Sequence, residues 1–304
     1  MGAGEARVVE VPIASGTLDV GARLQHEGVI RSAFAFEVGI HRWGLAGKLQ
    51  AGYYRLAPTM SAREIAEVIA SGKQATEKVT FPEGFTIKQM AERLDKTGLC
   101  SEQDFLAAAV PTNASDVPLP TGNSLSAQSV EGYLFPATYV FEYGTEPAAL
   151  VRQMAEAFRS RVIEGMAGDL ARSHYMLHEV VTVASMIERE ARVERDRPLI
   201  ASVIYNRLRK GMPLQIDATV LYALGEHKER VTLKDLEVDS PFNTYDRKGL
   251  PPHPICNPGE ASIHAALRPA RTDYLFYVAK PNGSHVFTRT YEEHLKAISA
   301  IRGG

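Results

Sequence analysis

From Met176 to Ala191 apolar residues recur at three- and four-residue steps, and Leu177, Val181 and Ala184 form one stripe of a helix. Glu188 is the next position on that stripe. A carboxyl group held against apolar neighbours is harder to ionise, which raises its pKa toward the range a general acid needs near neutral pH. Glu190 points to nearly the opposite side and Glu194 lies four residues further on, so these two read as a solvated face. Glu188 is therefore the candidate acid. The plainer alternative is that the helix turns slightly and Glu188 makes a structural ion pair with Arg192 or Arg207.

Polar side chains gather downstream. A second helix starts near Asp196, takes Pro198 into its first turn and ends at Gly211, with Ile200, Val203, Ile204 and Leu208 as its core face. Tyr205, Asn206 and Arg207 flank that face, as groove lining or as ordinary surface. Gln215, Asp217 and Thr219 come together after a Gly-Met-Pro turn, just before the helical run Val220 to Leu224, where Asp217 is either a site residue or the helix N-cap. Ser240 to Pro252 (SPFNTYDRKGLPP) mixes aromatic rings with amide and hydroxyl groups, a mixture that sugar sites favour and ordinary loops also contain. His174 and His178 lie four apart beside Glu179, but position 182 is Thr, so the zinc-protease HExxH pattern is not formed. Walker, dinucleotide-binding and nucleophile-elbow patterns do not occur.

The elements that must position these groups fall into an α+β arrangement. Val8 to Ile13 is a short extended run, Ser15-Gly16 a turn and Leu18 to Leu24 a helix. Arg23-Leu24 with Gly28-Val29 recurs as Arg93-Leu94 with Gly98-Leu99, which predicts two related subunits at about 8–75 and 76–110. Between them, residues 51–56 alternate as a strand, and Thr59 or Ser61 caps a helix from Ala62 to Ile69. Residues 111–128, rich in Pro, Ser, Asn and Gly, read as a connector between a 1–110 region and a 129–304 domain. That domain has a helical core and closes with a β-hairpin, Tyr274–Ala279 and His285–Thr288 around Pro281-Asn282-Gly283, followed by a helix from Tyr291.

A chain of 304 residues can bury two cores. The formal net charge of −2, with charges of both signs interspersed, argues against nucleic acid as a partner. Cys100 and Cys256 are far apart and fit no metal-ligand spacing. Neither a secretory signal nor a membrane-spanning run is present, so the region is either cytosolic or preceded by an export and anchor segment.

Several motifs, in order along almost the whole chain, carry a resemblance: EGYLFPATY from Glu131, ASMIEREA from Ala184, VIYNRLRKGMPLQIDATVLYALG from Val203, SPFNTYDRKGLPPHPI from Ser240 and HVFTRTYEEH from His285. Together they resemble the YceG-like endolytic murein transglycosylases. The resemblance implies a LysM-like N-terminal region and a YceG-like catalytic domain with Glu188 as catalytic residue. It implies Tyr133, Phe135, Asn206, Arg207, Gln215, Asp217, Thr219, Asn243, Thr244 and Tyr245 as groove lining. Ala137 and His253 depart from the family's usual Asp and Gly.

The activity implied is cleavage of the β-1,4 bond between N-acetylmuramic acid and N-acetylglucosamine within nascent glycan strands. The muramic 6-hydroxyl attacks its own anomeric carbon and leaves a 1,6-anhydro end, with neither metal nor organic cofactor. Implied partners are peptidoglycan strands, penicillin-binding proteins and other elongation machinery. The implied location is the bacterial inner membrane, with a single N-terminal helix ahead of this region, which faces the periplasm. Two other readings stay open: a non-catalytic peptidoglycan-binding scaffold, and a water-using glycosidase with Asp217 or Glu131 as second carboxylate.

Overall fold

The computed structural model describes residues 4–110, 130–225, 228 and 231–302. Chain order is β1 (Arg7–Val11), α1 (Thr17–His26), α2 (Ala33–Arg42), β2 (Gly52–Leu56), α3 (Ala62–Ser71), β3 (Thr76–Thr80), α4 (Ile87–Thr97), α5 (Glu102–Ala108), β4 (Thr138–Glu142), α6 (Pro147–Phe158), α7 (Ala167–Leu170), α8 (Leu177–Glu190), α9 (Arg197–Arg209), α10 (Asp217–Leu224), α11 (Glu260–Leu267), β5 (Phe276–Ala279), β6 (His285–Thr288) and α12 (Tyr291–Arg302). None of the described helices is long and apolar enough to cross a membrane.

The chain divides into two compact units. The first comprises Met1–Val79, Leu94–Cys100 and Thr138–Glu146. Here β1 and β2 pair antiparallel with Arg7 opposite Leu56 and Val11 opposite Gly52. Alternation turns Val9, Val11, Tyr54 and Leu56 to one face, against Val20 and Leu24 of α1, Phe36 and Ile40 of α2 and Ile65 and Ile69 of α3. The buried Tyr54 hydroxyl donates to Gln50 O at 2.8 Å, so its polar end is satisfied. Ser61 caps α3 in a reciprocal box with Glu64. Beyond α1, Gly28 takes a left-handed φ of 69° and lets Val29 N donate back to Leu24 O, which stops the helix.

The division at 110 is corrected. Strand β3 pairs with β4, and β4 lies far beyond the proposed 111–128 connector, which itself falls outside the described residues. The β1-α1-α2-β2 order thus recurs as β3-α4-α5-β4, so the second repeat closes at 142 and not at 110. Sequence spacing cannot reveal a strand partner this distant, because pairing depends on contacts made only in the folded chain.

The second unit comprises Thr80–Arg93, Ser101–Ala137 and Pro147–Gly304. At its centre α8 packs on α9, α10 and α11, and every residue from Val180 to Ile187 is buried. Near it a polar knot crosses the interior. The Asn257 carboxamide oxygen accepts from Gly132 N (3.0 Å) and Leu134 N (2.9 Å), while its nitrogen donates to Phe85 O (3.0 Å) and to Glu131 Oε1 (2.9 Å). Glu131 in turn accepts from Ile87 N at the start of α4, and burial pushes its carboxyl up to about 8. The hairpin β5–β6 runs Phe276 opposite Thr288, and α12 packs on it.

Candidate active site

Helix α8 is surrounded, and that changes the reading of its carboxylates. Helical periodicity separates a buried from a solvated face only when one side meets water. Glu188 is indeed largely covered, its side chain 7% exposed, but it is fully partnered: Arg197 Nη1 lies 3.2 Å from Oε1 and Gly259 N donates to Oε2 at 3.0 Å. Arg197 is also shared with Glu194 at 3.2 Å and with the Ser262 hydroxyl. The arginine that the plainer alternative expects beside Glu188 is present, and it is Arg197 in place of Arg192 or Arg207. Glu194 is exposed as expected.

The solvated-face assignment of Glu190 is corrected. Its carboxyl lies at the last residue of α8, where the helix carbonyls disfavour added negative charge, and faces the first turn of α10. Burial pushes it up to about 7, the Asp217 carboxylate adds to the rise, and hydrogen bonds from the Tyr277 hydroxyl (3.2 Å to Oε2) and Ala218 N oppose it. Asp217 is not the N-cap of α10 but its first residue, Ile216 being the cap, and it accepts a hydrogen bond from the Tyr245 hydroxyl. Asp217 and Gln215 are exposed, so this corner is open to solvent at the carboxylate's edge. A carboxyl whose pKa is raised toward neutrality, beside an exposed polar rim, is equipped to protonate a leaving oxygen and recover the proton afterwards.

Backbone geometry supports the same corner. Gln215 has φ 53°, a left-handed conformation that a side-chain-bearing residue adopts only where its surroundings enforce it. Its amide donates to Thr244 O (2.9 Å), and the next amide, Ile216 N, donates to Thr244 Oγ1 (3.0 Å). The hairpin carrying Tyr277 is held by Asp196, whose Oδ2 accepts from His285 N at 2.7 Å and lies 3.0 Å from His285 Nδ1.

The YceG-like family profile matches residues 9–300. The chain belongs to the YceG-like family. An endolytic murein transglycosylase of Bacillus subtilis is 38% identical over 300 residues, covering 95% of this chain and 83% of that protein. One of Streptococcus pneumoniae is 29% identical and covers 96% of this chain, which spans 57% of that longer protein. The crystal structure of a yceG-like protein from Listeria monocytogenes is 36% identical, covers 97% of this chain and 99% of its own, and superposes with a TM-score of 0.66.

In this YceG-like chain the residues expected to line a groove separate into two groups. Gln215, Asp217 and Tyr245 stand at the Glu190 corner. The others make internal contacts, and of these Asn206 and Phe135 also reach the walls of two other clefts. Arg207 is buried and donates to Leu275 O (2.6 Å), Leu214 O (2.8 Å) and Pro213 O (3.2 Å), with one contact to Gln215 Oε1 (3.2 Å). Asn206 donates to Thr272 O and Tyr274 O, each at 2.8 Å, and Asn243 to Leu236 O (2.8 Å) and Val238 O (3.0 Å). Thr219 and Thr244 bond to each other at 2.9 Å out of solvent. Tyr133 is 2% exposed with its hydroxyl on His178 Nδ1 (2.9 Å), and His178 Nε2 lies 2.9 Å from Pro252 O, so both ring nitrogens are occupied. Phe135 is buried under the Arg161 guanidinium, 5.2 Å from its ring centre.

Glu190 and Tyr277 stand at this corner, and the sequence reading placed neither of them in the site. A signal existed for Glu190, the last residue before an extended break at Ala191, since helix ends aim side chains at neighbouring loops. Its burial has a measurable consequence. An unfolded glutamate titrates near pH 4.3 and the native one at about 7, so between these values the native state keeps a proton that the unfolded state has released. The contribution is present below pH ~4 and lost as pH rises through about 7. Glu190→Gln is expected to be more stable than the wild type above pH 7 by about 1–3 kcal/mol, with the difference vanishing near pH ~4. Urea midpoints measured across this range check it; a difference independent of pH would refute the assignment.

Proposed function

We propose that this protein is an endolytic lytic transglycosylase of peptidoglycan, cutting the bond between N-acetylmuramic acid and N-acetylglucosamine inside glycan strands. Family membership supports the activity, and the placing of the partly shielded Glu190 carboxyl between the Tyr277 hydroxyl, Ala218 N and the Asp217 carboxylate, beside an exposed polar rim, is the observation that carries the chemistry. We place the acid at Glu190 ahead of Glu188, the residue that the family resemblance implies: both carboxyl groups are partnered, Glu188 by Arg197 and Gly259 N and Glu190 by the Tyr277 hydroxyl and Ala218 N, and the choice rests on the Asp217 carboxylate beside Glu190, which favours its protonated form. The Glu190 proton passes to the glycosidic oxygen of the departing N-acetylglucosamine as the C1–O bond breaks. The muramic 6-hydroxyl then bonds to C1 and its proton returns to Glu190. No water enters, and the product is a 1,6-anhydro end.

Tyr277 keeps the Glu190 carboxyl oriented, while Asp217, Gln215 and Tyr245 form the rim that meets sugar. The repeated β-α-α-β order of the N-terminal half supports a LysM-like glycan-holding role for that half. A periplasmic setting, a membrane helix ahead of this region and association with penicillin-binding proteins follow as part of the same reading, because nascent glycan strands lie there.

Mass spectrometry of digests of purified glycan strands tests the reaction. Anhydro-muramic ends are expected from the wild type. Reducing muramic ends alone would replace this mechanism with a water-using one in which Asp217 is the second carboxylate. No cleavage at all would favour the scaffold reading.

A further inference from the structure

A second cleft in the larger unit has a chemistry the transglycosylase reaction leaves unused. It lies between the C-terminal half of α9 and the segment that follows α11, with a volume of about 660 Å³. Arg209, Arg268 and Arg271 line it, against one acidic residue, Asp273. Arg209 and Arg268 stand at the ends of α9 and α11, where the helix dipole alone accounts for a cation. Arg209 donates to Asn206 Oδ1, and Arg268 pairs with Asp169 at 2.7 Å. Arg271 has no such role. It is exposed, follows no helix end directly and makes no hydrogen bond or ion pair within the described residues. Three guanidinium groups with most of their donors unused around one concavity suit a carboxylate, which they can hold in a fork.

The cleft is physically tied to the acid. Asn206, at the cleft wall, holds Thr272 O and Tyr274 O, its neighbour Arg207 holds Leu275 O, and the chain then enters β5, which delivers Tyr277 to Glu190. The five-residue step from Thr272 to Tyr277 spans at most roughly 17 Å, which places the two sites within reach of one glycan strand bearing its side-chain peptides. We propose that this cleft binds a carboxylate of the peptide carried by a muramic residue near the cleavage point, so that peptide-bearing strands are preferred over bare ones. This rests on the peptidoglycan reading above.

The test compares kcat/KM on glycan strands with intact peptides and on the same strands stripped by an amidase. The wild type is expected to favour the peptide-bearing strands by about tenfold, the worth of one or two charge-assisted hydrogen bonds. Arg271→Ala and Arg271→Glu are expected to bring that ratio to near one, and an exposed position outside any helix makes misfolding of either variant a remote explanation. A wild-type ratio of one, or a ratio unchanged in both variants, overturns the proposal. Cleavage of neither substrate would overturn the transglycosylase reading instead. Equilibrium binding of muramyl dipeptide then decides the cleft by itself: tighter binding by the wild type than by Arg271→Glu supports it, and equal binding overturns it.

Discussion

Glu190→Gln is expected to lower the rate of glycan cleavage by about 10³-fold, the usual worth of a positioned general acid, while leaving the protein folded. Gln fills the same space and can still accept from Tyr277 and Ala218 N, but it has no proton to give. Glu188→Gln is the informative partner. It weakens a pair with Arg197 that is nearly out of solvent and leaves that guanidinium with Glu194 and Ser262. Breaking a buried pair costs about 3 kcal/mol when a partner is removed outright, and less when an amide still accepts the bonds. Glu188→Gln should therefore lose stability in urea by about 1–3 kcal/mol and keep cleavage within about tenfold of wild type. In the wild type, cleavage should fall on the alkaline side as pH rises through about 7, because the acid is then deprotonated. An inactive Glu188→Gln beside an active Glu190→Gln would reverse the assignment made here.

The second large effect is structural. Asn257→Leu is expected to destabilise the protein by about 3–5 kcal/mol. The carboxamide satisfies two buried amides, those of Gly132 and Leu134, and one carbonyl, that of Phe85, and it also bonds Glu131. Leucine has a similar volume but leaves these groups unpaired in a region water does not enter, at about 1–3 kcal/mol each. The knot fastens the segment before α4, the EGYLFP motif and the Ile255–Gly259 run, whose last amide holds Glu188. Urea denaturation measures the loss; a change under about 1 kcal/mol would mean the segments are held by packing instead.

Local signals in this sequence identify elements well where both ends are marked by chemistry of short range. Ser61, one of the two caps that the sequence offers, marks the start of α3, Gly28 the stop after α1, Pro198 the first turn of α9 and Asn282-Gly283 the turn of the terminal hairpin. Motif order carried the family as well, and the profile match over residues 9–300 agrees with it. Gln215, Asp217 and Tyr245, named through that same motif order, lie together in the structure, with Tyr245 bonded to Asp217 and Gln215 N to Thr244 O.

The surroundings of two carboxylates only two residues apart were set by tertiary structure alone. Periodicity reports on burial from one side, and α8 is enclosed by α9, α10 and α11, so both Glu188 and Glu190 enter protein. What separates them is the partner each finds there: Arg197 and an amide for the first, a tyrosine hydroxyl, an amide and a neighbouring carboxylate for the second. Arg207, Asn206 and Asn243 looked like groove lining for the same reason, since the carbonyls that occupy them belong to other segments of the chain. The pairing of β3 with β4 obeys the same logic. Residue type and spacing determined which groups this protein can bring to bear, whereas long-range hydrogen bonds and desolvation, which exist only once distant segments meet, determined which of them remain free to act.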